Sequence, residues 1–355
     1  MSSVPQTTGQ HIPSPVRRDT VVMGRSDFFS VVLRLIGVEL YKIRRRTMSK
    51  VLSTIGILIM IISFVVASLI ALIGANTPAS SFLPPPCTAS STGAGQPCLN
   101  HAPTQAELAL AEQEKHDRVA EYSSPLRLPD ALGIANQIIQ SLGLVLIVIL
   151  AGTIVGGEYS GSTIRLMFTR GPTRTQFLLS KIGAILACII LGVVIGMAIG
   201  IITGAILNIF TGISTNLSFF SALWLMHAII FLLETMLALF MYAMLSLCLS
   251  TLGRATAAGV AGSLVWWVLE NILGGAFYLA GAQMKGFMGD FLRAAPDYFI
   301  GNNISALLQN QASNIYGTAT PSQLSDLHAV LVLAGYLVIF IGLAWWVTRS
   351  RDTTN

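Results

Sequence analysis

Three ionisable side chains stand inside long apolar runs of this 355-residue chain: His227, Glu234 and Glu270. Charge at bilayer depth is costly, so such groups face other helices or water. They serve as substrate or proton contacts, or they pin helices together when neutral or hydrogen-bonded. His227 and Glu234 are seven residues apart and share one helical face. The sequence leaves both roles open. Cys87 and Cys98 form the second chemical pair. Both lie in one polar stretch, where an oxidising compartment would close a short disulfide loop and a reducing one would leave two thiols. Cys188 and Cys248 fall in apolar runs and read as packing residues.

Other chemistries lack their residues. There is no G-x-x-x-x-G-K-[ST] phosphate loop, no H-E-x-x-H pair and no G-x-S-x-G turn. The five His are scattered along the chain. No catalytic, cofactor-binding or metal-binding residue is therefore expected, and the chain reads as a non-enzyme.

The elements that must position these residues follow from composition. Hydrophobic residues make up 53% and charged residues 10%, against about a quarter charged in soluble domains. Six segments approach or exceed the roughly 20 apolar residues that cross a bilayer. They are about Val51 to Gly74, Leu132 to Val155, Phe177 to Phe210, Phe220 to Leu249, Ala255 to Ala282 and Ala329 to Val347. All are too long and too apolar for outer-membrane barrel strands. The predicted fold class is an all-α membrane protein with six transmembrane helices, preceded by an amphipathic cytoplasmic helix over 27–46. Residues 1–26 read as a disordered tail, 47–349 as the six-span domain and 350–355 as a short tail. The alternative for the segment before Arg44-Arg45-Arg46 is a frayed start of the first span, which would drag three arginines into the bilayer.

The net charge of +5 is unevenly placed. With the N-terminus inside, sixteen Lys/Arg lie on the inner side and five outside, completing the 21. This bias predicts cytoplasmic N- and C-termini. The basic balance marks a membrane face in contact with lipids, not a nucleic-acid partner.

Two outer loops are long, 75–131 and 283–328. The first carries Cys87 and Cys98, and on the oxidising side of a plasma membrane this pairing suggests a disulfide closing a short loop, with two free thiols as the alternative. The second interleaves aromatic and charged residues around Pro296 and reads either as amphipathic pieces at the outer leaflet or as a plain surface loop. In the third span Gly192, Gly196, Gly200 and Gly204 recur every fourth residue. Such spacing lets another helix approach closely.

The connector 156–174 is longer than reversal of direction requires. It holds a helix-forming stretch, Ser162 to Thr169, closed by Gly171-Pro172. Glu158, Tyr159 and Arg165 supply polar contacts, and Ile164, Leu166 and Phe168 apolar anchors, for docking onto another protein. A purely topological and lipid-binding role for Arg165, Arg170 and Arg174 is the alternative.

The chain resembles the permease subunits of ATP-binding-cassette (ABC) transporters of the second export class. The resemblance rests on Gly37-Val38-Glu39-Leu40-Tyr41-Lys42-Ile43-Arg44-Arg45-Arg46 before the first span. It rests further on Gly157-Glu158-Tyr159-Ser160-Gly161-Ser162-Thr163-Ile164-Arg165 and Arg170-Gly171-Pro172-Thr173-Arg174 after the second. It implies an elbow helix before the first span and a coupling helix in the connector. It also implies a separate ABC ATPase subunit that holds ATP and Mg, a second permease copy or paralogue, and a bacterial plasma membrane. The long Cys-containing first outer loop departs from the family pattern. The competing expectation is a secondary transporter or channel using Glu234 and Glu270. The lack of detectable repeats counts against it.

Overall fold

The computed structural model describes residues 28–85, 87, 98–160, 173–211, 218–317 and 320–350. These residues build an all-α membrane protein with no β-strand among them. Six helical segments are long and apolar enough to cross a membrane: Thr47–Asn76, Asp130–Tyr159, Arg174–Asn208, Ala222–Gly253, Thr256–Gln283 and Asp326–Ser350.

The first helix, α1 (Phe28–Arg45), is an element in its own right rather than the frayed start of the first span. Arg46 adopts an extended conformation and breaks the chain before α2 (Thr47–Asn76). The buried positions of α1 are Val32, Glu39 and Ile43, seven and four residues apart, so one narrow face packs inward. Beyond α2, Cys87 and Cys98 are joined by a disulfide. Backbone bonds from Cys87 N to Leu99 O and from Leu99 N to Pro85 O close the same loop, each 3.0 Å. α3 (Gln105–Ser123) then begins with a reciprocal capping box between Thr104 and Glu107. It lies against the far end of α2, where Tyr122 and Val119 meet Gly74.

The second span is not one regular helix. α4 (Asp130–Ile138) passes into a single π turn, Ile139–Gly143, before α5 (Leu144–Ser160). Such wide turns bulge a helix and open space beside it. α6 (Arg174–Asn208) starts at a second capping box, Thr173 with Gln176. Its 35 residues extend about 50 Å, well beyond the ~30 Å hydrocarbon core. α7 (Ala222–Gly253) is capped at its start by Ser221 and ends at Arg254, in the left-handed region at φ 52°. α8 (Thr256–Gln283) follows.

The centre of the bundle is the triangle of α5, α7 and α8. Small residues make it possible. A Cβ on Gly156 would meet the backbone of Ala255 and Thr256, and one on Gly259 would meet Ser250 and the Ser246 carbonyl. The hydroxyls at the seam donate across it, Ser246 Oγ to Val148 O at 2.9 Å and Ser250 Oγ to Gly152 O at 3.4 Å. In lipid, where the hydrophobic effect does not drive helices together, close backbone approach of this kind supplies dispersion contact in its place. The glycine stripe on α6 divides along its length. A Cβ at Gly200 would reach Ala135, and one at Gly204 would reach the Leu126 carbonyl and Phe64. At Gly192 it would meet nothing within 4 Å.

Between the last two spans the chain is helical, not a plain surface loop. α9 (Phe287–Ala294) packs on α8, and α10 (Ile300–Tyr316) packs on α7 and on the last span, α11 (Asp326–Ser350). Ile300, Ile304, Leu307 and Ile315 form the buried face of α10.

Candidate functional site

Four charged residues meet where α1, the end of α5 and the start of α6 converge. Glu39 and Lys42 come from α1, one helical turn apart. Glu158 comes from the last turn of α5, and Lys181 from the second turn of α6. Lys181 Nζ lies 2.9 Å from Glu39 Oε2 and donates a short bond to Glu158 Oε1. Lys42 Nζ lies 2.8 Å from Glu39 Oε1 and 3.3 Å from Glu158 Oε1. Two carboxylates and two ammonium groups thus balance to zero. Lys181 is fully buried, Glu39 is 4% exposed and Glu158 6% exposed. Lys181 also lies over the Phe177 ring, 5.0 Å from its centroid.

Electrostatics fix the charge state on α1. Burial alone would raise Glu39, but Lys181 and Lys42 outweigh it and hold the carboxyl below its ordinary range. Burial alone would lower Lys42, but Glu39 and Glu158 outweigh it and hold the ammonium above its ordinary range. Both groups are therefore ionised at neutral pH.

The cluster brackets the connector. Glu158 lies on its leading side and Lys181 shortly after its end. Arg174 adds a second tie, donating from Nη1 to the Arg349 carbonyl at 2.8 Å and to the Thr348 carbonyl at 3.2 Å. A guanidinium at the last carbonyls of α11 complements the negative end of that helix. Arg46 donates to Thr153 O at 3.4 Å, joining the α1–α2 break to α5.

This placement changes the expectation for Glu158. Its side chain points into the protein and pairs with Lys181 and Lys42, so it is not a surface contact for a partner. Tyr159 is half-buried and packs against the core. Ile164, Arg165, Leu166 and Phe168 lie outside the described residues, as does all of 161–172. Glu39, Lys42 and Lys181 were not singled out from sequence. The signal was there: a carboxylate on the buried face of an amphipathic helix, and a lysine inside an apolar run, are each costly unless they share a partner.

Two of the three ionisable groups in the spans, Glu270 and His227, tie helices together. Glu270 of α8 accepts from the backbone N–H of Ile300 and from Tyr242 Oη at 3.3 Å. A carboxylate at the start of α10 satisfies donors that the helix leaves open and complements its dipole. It pins α10 to α8 and α7. His227 Nδ1 and Gln311 Oε1 are 2.9 Å apart, which ties α7 to α10. Glu234, half-buried on α7, leaves Oε2 without a hydrogen bond. No group of three His, Cys, Asp or Glu positioned to hold a metal occurs among the described residues.

Residues 128–354 match the model of a family described as "Protein of unknown function (DUF2705)". No curated protein matches the chain.

Proposed function

We propose that this chain, which belongs to the DUF2705 family of proteins of unknown function, is the permease subunit of an ATP-driven ABC exporter. It works beside a separate ABC ATPase and a second permease copy or paralogue. The observation that carries this reading is the Glu39–Lys42–Glu158–Lys181 cluster at the root of the connector. A push on a connector reaches the membrane only if both its ends are held. Here α5 and α6 are held to each other and to α1, so movement of 161–172 is delivered to three elements together. The energy comes from differential binding of the partner in its two nucleotide states.

In this reading α1 is the elbow helix and Arg165, with Ile164, Leu166 and Phe168, meets the ATPase. Glu158 acts through Lys181 as a positioning residue. The termini face the cytoplasm of a bacterial cell, and the substrate is amphipathic or hydrophobic. The secondary-transporter alternative is weaker, because Glu270 is committed to the start of α10.

The test is reconstitution. The full chain is purified from its native membranes, the co-purifying phosphate-loop ATPase is identified, and both are placed in vesicles. ATP hydrolysis is expected only with the second subunit, and Arg165→Ala is expected to lower coupled transport several-fold with insertion unchanged. Robust hydrolysis by the chain alone, or transport that proceeds without ATP, would overturn the proposal.

A further inference from the structure

A groove of about 810 Å³ runs between α2, the α4–α5 segment and α6. Its walls are almost wholly apolar, and its mouth is not. Arg44, Arg46 and Lys50 line the mouth, and no carboxylate lines the groove among the described residues. We propose that this groove binds one anionic phospholipid of the leaflet that borders α1, with its headgroup at Arg44, Arg46 and Lys50 and its acyl chains between α2 and α6.

Three observations converge on that ligand class. The first is charge. The nearby carboxylates, Glu39 and Glu158, are already balanced by Lys42 and Lys181. Arg44, Arg46 and Lys50 make no ion pair among the described residues, and Arg44 and Lys50 are exposed. Arg46 spends one of its five N–H donors on Thr153 O. Three cations at the mouth of an apolar slot match a phosphate on hydrocarbon tails.

The second is length. The lining runs from Met48 to Met60 on α2, from Ala187 to Ile199 on α6 and from Ile138 to Gly157 on the second span. Twelve residues of helix rise about 18 Å and nineteen about 28 Å, against a hydrocarbon core of ~30 Å. The groove is long enough to take the acyl chains of one phospholipid.

The third is how the space arises. The π turn Ile139–Gly143 lines the groove and bulges the second span beside it. On the opposite wall Gly192 has nothing within 4 Å of its Cβ position, although the same stripe is tightly packed at Gly200 and Gly204. Absence of side chain on one wall and a bulge in the other leave a slot. The site is independent of whether an ATPase partner exists.

Native mass spectrometry of the full-length, delipidated chain in detergent tests this, with dioleoyl phosphatidylglycerol and dioleoyl phosphatidylcholine as probes. The wild type is expected to retain the glycerol lipid well above the choline lipid. Each Lys/Arg near an anionic headgroup is worth roughly fivefold. Arg44→Ala with Lys50→Ala should therefore weaken phosphatidylglycerol binding by about 25-fold and leave phosphatidylcholine unchanged. Both positions are exposed, so the double variant folds. Gly192→Phe should reduce binding of both lipids. Equal retention of the two lipids by the wild type, or an unchanged preference in the double variant, would overturn the proposal. So would a dimer cross-linked by a short bis-maleimide through Cys188, which lines the groove, since a second copy would then occupy it.

Discussion

Lys181 is the residue on which the junction of α1, α5 and α6 depends. An ammonium group without exposure needs its charge matched, and it has two carboxylates, Glu39 and Glu158. Removing one partner of a buried pair typically costs about 3–5 kcal/mol. Glu158→Ala is therefore expected to lower thermal stability in detergent by an amount of that order, not merely to weaken docking. Lys181→Met alone should also destabilise, and the double variant should lose less than the two single losses added, because each single change strands a charge that the double change removes. Additive losses would mean the pair is not coupled. The cluster also sets a pH window. Glu39 is held below its ordinary value of 4.5. Its contribution is complete above that value and disappears as pH falls through its lower, folded value. Lys42 is held above its ordinary value of 10.5, so its contribution is complete below that value and disappears as pH rises through the folded one. Thermal midpoints should stay level between about 4.5 and about 10.5 on account of these two groups. Glu39→Gln should flatten the acid limb relative to the wild type. An acid limb as steep as that of the wild type would assign the loss to other carboxylates.

At the scale of helices, close packing is concentrated where the sequence pattern was least conspicuous. The regular stripe Gly192–Gly196–Gly200–Gly204 predicts one continuous contact, and it holds at Gly196, Gly200 and Gly204, whereas Gly192 meets nothing within 4 Å and borders a groove. The tighter seam uses Gly156 and Gly259, which form no period. Each serves one crossing point of α5 with α8 or of α7 with α8. Gly156→Ala is expected to destabilise by about 1–3 kcal/mol, since the added methyl meets backbone that cannot step aside. Gly192→Ala should be neutral or stabilising by up to ~1 kcal/mol, because it gains helix propensity without a clash. Thermal unfolding of both variants in one detergent checks the contrast, and reversed signs would refute it. The spans were legible because twenty-residue apolar runs have few other uses. The independence of α1 was legible because three arginines resist burial. The pairing of Glu39 with Lys181 was not, because sequence reports which residues are costly to bury and not which distant residue compensates them. Helices α9 and α10 were obscured for a related reason: the start of α10 depends on Glu270, thirty residues earlier, for its cap.

For the molecule as a whole, the Lys/Arg positions divide sixteen to five when the N-terminus is placed inside, a bias that predicts one orientation for all six spans. It predicts sidedness that can be read directly. In a cysteine-free background, Lys285→Cys should react with a membrane-impermeant maleimide in intact cells, and Arg349→Cys should react only after the membrane is opened. The opposite pattern would invert the topology and place the connector outside. The charge cluster has one more consequence, for how the chain is made. Lys42 and its partner Glu158 are 116 residues apart. At about 5–20 residues per second of synthesis, α1 exists for roughly 6–23 s before α5 is complete, and longer before Lys181 arrives. During that interval Glu39 and Lys42 have only each other, so the nascent α1 waits as a nearly neutral pair within an otherwise strongly basic segment. Ribosome-bound chains truncated before Glu158 should leave α1 open to protease, and chains extended past Lys181 should protect it. Closure of the cluster thereby marks the point in synthesis at which α1, α5 and α6 come together.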